Sequence, residues 1–431
     1  MQTSRILRTL ALVLCFDAAA CAAPAGMPAA RPAAPRVVPV VPAIRGSSRV
    51  PSTPALVTAS PTSVGMDRAL TARLDSVMAA ALADGLAPGA VLAVGRHGRL
   101  VHLKGYGFTD YRPGAPQTDA STIYDVASLT KVVVTTTAAM MLEEQGRLDL
   151  DELVATHLPE FVNGEAAKAS ITIRMLLTHQ GGLEAYSPLH RELRGREEYL
   201  RGIAARPLKA APGTETIYSD WDMVLLQLVI ERIIGQPLDV FASERIFQPL
   251  GFRETMFRPD TTNVSLRRRI APTAIDTLRG GLLWGVVHDG NAWALGGVSG
   301  HAGLFSSARD LASFAQLMLN GGAYDGVRLL RPATIARWTV PQSAGSSRAL
   351  GWDTPATESS AGDYFSPRSF GHTGFTGSMM WIDPERGLFV VMVANRVNSR
   401  GVSQLHTPVR RAVTDVVQSA IVDAPLVRWE R

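Results

Sequence analysis

Ser128 and Lys131 stand three residues apart at the mouth of the run "YDVASLTKVVVTTTAAMMLEEQG", residues 124–146. On a helix this spacing puts both side chains on one face, so a hydroxyl and an amine come within reach of each other. Every face from Val132 to Leu142 is apolar or small, the pattern of a helix buried in a core. Val132–Val134 and Thr135–Thr137 are β-branched, so packing rather than propensity must hold the segment helical, and Gly146 ends it. An ammonium at such a helix start is disfavoured by the macrodipole and by desolvation, and both predict that Lys131 sits as a neutral amine. A neutral amine is a base, and Ser128 beside it is then an activated nucleophile. The first-turn N–H of Ser128 would face any oxyanion formed next to it. A capping role for Ser128 would call for Glu or Gln at the third position, where this chain has Lys. The chain holds four lysines among its 43 basic residues, so lysine at this place is a departure from its own habit.

A nucleophile and a base need a proton shuttle and a substrate edge. In "TETIYSDWDMVLLQLVIERIIG" Tyr218 lies just before a buried helix, where a phenol beside a cation can relay a proton. "FGHTGFTGSMMW" reads as a strand with glycines at 371, 374 and 377, a sign of close backbone approach such as a ligand along a sheet edge. His179, His288 and His301 fall in glycine-rich loops and read as structural. Trp352 in "ALGWD" reads either as cleft lining or as core.

The elements that must position these residues follow from periodicity. "MDRALTARLDSVMAAALADG" is an amphipathic helix, and "AVLAVGRHGRLVHLKGYG" alternates about His97-Gly98 as a hairpin. Residues 128 to about 320 read as mostly helical. "GSMMWIDPERGLFVVMVAN" is a second hairpin turning at residues 383–387, and a last helix covers roughly 405–422. Strands at both ends with helices between predict an α/β (α+β) fold: an antiparallel sheet built from the N- and C-terminal segments, flanked by helices, with an inserted mostly helical subdomain.

The chain divides by composition. Residues 1–21 have a basic start, a short apolar stretch and small residues before Cys21, the pattern of an export signal. "AAAC" resembles a bacterial lipobox, which makes Cys21 a lipidation candidate; simple signal cleavage and a retained anchor are the alternatives. Residues 22–60 are rich in Ala, Pro and Val and read as a tether, and 61–425 as the folded domain. The +5 formal charge arises within residues 1–60, so the domain is neutral and makes no case for nucleic acid. Both cysteines, Cys15 and Cys21, precede the domain, which excludes disulfides, thiolate metal sites and cysteine nucleophiles there. No histidine pair has metal-ligand spacing, and no dinucleotide or Walker loop appears, so no metal or cofactor is expected.

Ser128-Leu129-Thr130-Lys131, Tyr218-Ser219-Asp220 and His372-Thr373-Gly374 occur in the order and rough spacing of the three motifs of the serine β-lactamase and penicillin-binding-protein family. The chain resembles its class C-like branch, which includes D,D-carboxypeptidases and esterases, over about residues 61–425. "LLTHQGGL", "LGGVSGHAGLFSSARDLASF" and "VANRV" are similar to that branch too. The resemblance implies an acyl-enzyme on Ser128, with Lys131 as its base and Tyr218 as relay to the leaving group. It implies an oxyanion hole from the N–H groups of Ser128 and Phe375, and a substrate held along His372, Thr373 and Gly374. Asp220 stands where Asn commonly donates to a substrate carbonyl, and His372 where many relatives have Lys. The expected function is a cell-envelope serine hydrolase acting on D-Ala-type peptides or small esters, with β-lactam hydrolysis or slow acylation by a sensor as alternatives. Protonated His372 is expected to hold a substrate carboxylate.

Overall fold

A computed structural model describes Ser48–Arg49, residues 53–398 and residues 404–430. Cys21, the leader and most of the tether lie outside the described residues. The main sheet has six strands in the spatial order Phe370–Thr373, Met379–Asp383, Leu388–Ala394, Gly89–Arg96, Arg99–Gly107, Val57–Thr58. All neighbours pair antiparallel except the last two, Val57–Thr58 running parallel to Arg99–Leu100. The expected sheet from both ends of the chain is therefore present, closed in its middle by Leu388–Ala394 against Gly89–Arg96.

Every residue of those two central strands is buried, because helices cover both faces. Ala90, Leu92, Val94, Val390 and Met392 meet the helix Leu70–Ala83, through Leu70, Leu74 and Met78, and the helix His406–Ser419, through Val409, Val413 and Val417. Their four-residue spacing is one helical stripe. The helix Ala308–Leu319 packs on the opposite face. Trp352 is fully buried, edge-on to Phe370 with ring centroids 5.0 Å apart, and so belongs to the core.

Three features depart from the sequence reading. The middle of the chain contains short strands as well as helices: Ile123–Asp125, Leu304–Ser307 and Met256–Phe257 form a second sheet. Strand pairing also starts upstream of residue 61, since Ser48–Arg49 pairs with Val327–Arg328 and Val57–Thr58 joins the main sheet. Finally, the Lys131 helix opens as a wide π-type turn over Lys131–Thr136 and becomes regular only at Thr137–Glu144. Six consecutive β-branched residues crowd a normal turn, and widened turns recur at functional sites. No helix among the described residues is long and apolar enough to cross a membrane.

Candidate active site

The nucleophile turn is built by a conflict that the surroundings resolve. Ala127 has φ 48°, a left-handed conformation that costs a residue with a Cβ on the order of 1–3 kcal/mol. Its N–H donates to Asp125 Oδ1 at 2.9 Å, and its carbonyl accepts from the Thr130 N–H at 3.0 Å and Thr130 Oγ1 at 2.6 Å. The bend sets Ser128, partly exposed, into a cleft of about 920 Å³ while Lys131 behind it is fully buried. Lys131 Nζ donates to Ser128 Oγ at 3.0 Å and to Asp220 Oδ1 at 2.7 Å, and lies 3.4 Å from the His301 carbonyl.

The charge of Lys131 differs from the expectation. Burial, the largest single influence, pushes the amine down, as predicted, but Asp220 and Tyr218 together outweigh it and hold the group above its ordinary value. Lys131 rests as an ammonium. Asp220 begins the helix Asp220–Ile234, capped by Ser219 Oγ, which accepts from the Trp221 N–H at 3.2 Å. Tyr218 precedes it, as expected, and its ring centroid lies 4.7 Å from Lys131 Nζ, 4.9 Å from the Arg348 guanidinium and 4.6 Å from the His179 ring. His179 is buried and structural: its Nδ1 accepts from the Ser219 N–H at 3.3 Å and meets Asp222 Oδ2 at 3.1 Å. Burial holds His179 well below the usual histidine range and pushes Asp222 well above the usual carboxylate range, and the pair braces the Tyr218 loop.

The opposite wall is the strand Phe370–Thr373 and the turn after it. Thr376 Oγ1 donates to the Asp125 carbonyl at 2.6 Å and Ser378 Oγ to the Val126 carbonyl at 2.8 Å, which ties this turn to the nucleophile turn. A Cβ on Gly374 would lie 2.4 Å from the Val126 carbonyl, so here the close approach marked by glycine is to protein backbone. Arg410 Nη2 donates to the carbonyls of Gly374 and Ser378, both at 2.7 Å, and Arg396 Nε to the carbonyl of Phe375 at 2.5 Å. The N–H groups of Gly374 and Gly377 are bonded within the turn, to the carbonyls of Ser378 and Gly374 at 2.8 and 3.1 Å. Among the described residues no acceptor takes the N–H of Ser128 or of Phe375.

His372 lines the cleft but does not carry the expected charge. Its Nδ1 lies 2.8 Å from the Thr373 carbonyl, which can only accept, so Nδ1 bears the proton and Nε2 offers a lone pair. Burial first, then the Arg348 and Lys131 charges, push it well below the usual histidine value. In the free cleft the ring is therefore held towards the neutral form, which differs from the charged state that the sequence reading expected.

The loop containing His301 closes over the Lys131 turn, the Gly300 carbonyl accepting from Thr135 Oγ1 at 2.7 Å. His301 Nδ1 meets Ser299 Oγ at 2.7 Å and Nε2 meets Asp289 Oδ1 at 2.9 Å. The His288 N–H donates to Asp125 Oδ2 at 2.7 Å and its ring stacks on Phe375 with centroids 5.5 Å apart. Asp125, missed in the sequence, thus connects the nucleophile turn to the His288 loop. Its carboxyl is pushed up to about 6 by burial, against the pull of its two N–H donors. Asp220, Asp289 and His301 offer ligand atoms within 4.8 Å of one another, the one such group among the described residues. The Lys131 ammonium already supplies the positive charge there, and it would repel a divalent ion.

The β-lactamase family model matches residues 74–414. A Salmonella agona protein named "Putative D-alanyl-D-alanine carboxypeptidase" is 33% identical over 377 residues, covering 80% of this chain and 87% of its own length. Among solved structures, EstCE1, described as a hydrolase with promiscuous acyltransferase activity, is 26% identical, covers 81% of this chain and 99% of its own, and superposes with a TM-score of 0.66. A penicillin-binding-protein homologue from Caulobacter crescentus shares the fold at 23% identity and a TM-score of 0.65, covering 83% of this chain and 99% of its own.

Proposed function

From the premise that this chain belongs to the β-lactamase family and is a serine hydrolase, we propose that it works through an acyl-enzyme on Ser128, on D-Ala-type cell-envelope peptides or small esters. The observation that carries the proposal is the Lys131 amine bridging Ser128 Oγ and Asp220 in a cleft that offers two unengaged N–H groups. Ser128 Oγ attacks the substrate carbonyl as the neutral fraction of Lys131 takes its proton. The ammonium so formed is stabilised by Asp220, and the oxyanion by the N–H groups of Ser128 and Phe375. Tyr218 passes a proton to the leaving atom, and water then attacks the acyl ester with the same groups in reverse roles.

Asp220 weighs against efficient β-lactam turnover, because a carboxylate held by Lys131 cannot donate to a substrate amide as Asn would. The test is the intact mass of the protein after exposure to a penicillin, a D-Ala-D-Ala peptide and a p-nitrophenyl ester. A mass gain on Ser128 that decays with the peptide or ester is expected. No adduct from any donor, or an adduct persisting in Ser128→Ala, overturns the assignment; an adduct that never decays indicates a sensor. The leader supports a place in the cell envelope through Cys21, and Cys21→Ser should move the protein out of the membrane fraction. Unchanged fractionation would refute lipidation.

A further inference from the structure

Asp125 is buried and does not line the cleft, yet each of its carboxyl oxygens is taken by a backbone N–H from a different part of the site. Oδ1 accepts at 2.9 Å from Ala127, the residue held left-handed just before Ser128, and Oδ2 accepts at 2.7 Å from His288, whose ring stacks on Phe375. Its own carbonyl accepts from Thr376 Oγ1 at 2.6 Å, one residue beyond Phe375. One residue thus ties together the bend that aims Ser128, the loop stacked on the Phe375 ring and the turn that carries the Phe375 N–H. Stabilising an oxyanion requires the N–H groups of Ser128 and Phe375 at a fixed separation. Only an ionised carboxylate serves both backbone donors well: a protonated carboxyl keeps one good acceptor, and an Asn would set its own NH2 against one of the two N–H groups.

We propose that Asp125 is a positioning residue for acylation, its ionised carboxylate setting the spacing of the Ser128 and Phe375 N–H groups from behind the cleft. The inference rests on the acyl-enzyme reading above. Two charges on the His288 side act on this carboxyl, Asp289 favouring its proton and Arg279, which donates to the carbonyls of Val287 and His288, disfavouring it. Burial holds the His288 ring below the usual histidine range. The nucleophile helix brings Lys131, paired with Asp220, and the Phe375 side brings Arg396 and Arg410, bonded to carbonyls of that turn. With burial lifting the Asp125 carboxyl to about 6, the proton is taken up as pH falls through that value, and the positioning is lost on the acid side.

The test reads kcat/KM for a p-nitrophenyl ester from pH 4.5 to 8, with near-UV circular dichroism confirming the fold at each pH. Because Lys131 is held above its ordinary value, its neutral fraction gives log kcat/KM a slope of about one over this range. In the wild type the slope should steepen towards about two below pH of about 6; in Asp125→Asn it should stay near one, with kcat/KM at pH 8 lowered by about tenfold to a hundredfold. Single-turnover kinetics should place that loss in the acylation rate constant and leave the dissociation constant of the ester unchanged. Glycine adopts a φ of 48° without help, so adding Ala127→Gly to Asp125→Asn should recover part of the lost rate. A wild-type slope near one down to pH 4.5, a steepening that persists in Asp125→Asn, a loss confined to the dissociation constant, or no recovery in the double variant overturns the proposal. Should Asp125→Asn fail to fold, Ala127→Gly alone decides: a weakened acid steepening supports the proposal and an unchanged one overturns it. Failure of the acyl-enzyme reading shows separately, as turnover surviving in Ser128→Ala.

Discussion

Replacing Asp220 by Asn should make the base more available and less effective. Lys131 Nζ and Asp220 Oδ1 are 2.7 Å apart, which at an effective dielectric of about 20 corresponds to about 6 kcal/mol of gross attraction. Asn retains an acceptor for the ammonium, and opposite charges at such range shift neighbours by about 1–3 units, the shift expected here. The sign follows from the raised Lys131 value: removing the carboxylate lowers it, so the neutral amine appears at lower pH. The rising limb of kcat/KM against pH, still climbing at pH 10 in the wild type when read by stopped-flow acylation with a p-nitrophenyl ester, should move towards acid and reach its plateau at lower pH. The plateau should fall, because the ammonium formed during attack has lost its stabilising partner. A limb that stays in place would refute the assignment of Lys131 as the base, and an undiminished plateau would refute the role of Asp220.

The ring of His372 should remain neutral from pH 5 to 8 in a histidine NMR titration, contrary to the sequence reading; an inflection near 6.5 would contradict the burial argument. Thr376→Val removes the donor to the Asp125 carbonyl while keeping shape, and should lower the acylation kcat more than it changes KM, by about tenfold or more, with recovery in Thr376→Ser. If kcat and KM instead hold while only stability falls, the tether between the two turns is merely structural. Leu92→Ala, at the fully buried centre of the sheet, should cost about 2–5 kcal/mol in denaturant unfolding. A loss below about 1 kcal/mol would show that the core packs otherwise.

Those elements that repeat over short distances were legible in the sequence. The stripe of Leu70, Leu74 and Met78 marks its helix, and the turns at His97-Gly98 and residues 383–387 mark two hairpins, because each pattern lies within twenty residues. The second sheet was not legible, since Ile123–Asp125 pairs with Leu304–Ser307 through strands too short to carry a period. At the site the motifs located Ser128, Tyr218 and the His372 strand in one cleft, with Lys131 buried behind Ser128. Their protonation was another matter. Helix dipole and burial are local and both argued for a neutral Lys131, but the deciding carboxylate lies 89 positions away. The charge of His372 was hidden for the same reason: its state depends on depth and on Arg348, and one arginine among so many carries no sequence signal. Asp125 was hidden because its two N–H donors come from Ala127 and His288, loops distant in sequence from each other.

The order of the main sheet has a mechanical consequence. Val57–Thr58, where the chain arriving from its N-terminal side joins it, is one border of the sheet, and Phe370–Thr373, the wall of the cleft, is the other. Five strand spacings separate them, about 24 Å at 4.8 Å each. Upstream of that border Ser48–Arg49 is pinned to Val327–Arg328, so a pull on the chain from its N-terminal side is taken up by this pair before it reaches residue 57, and the wall of the cleft lies the full width of the sheet away.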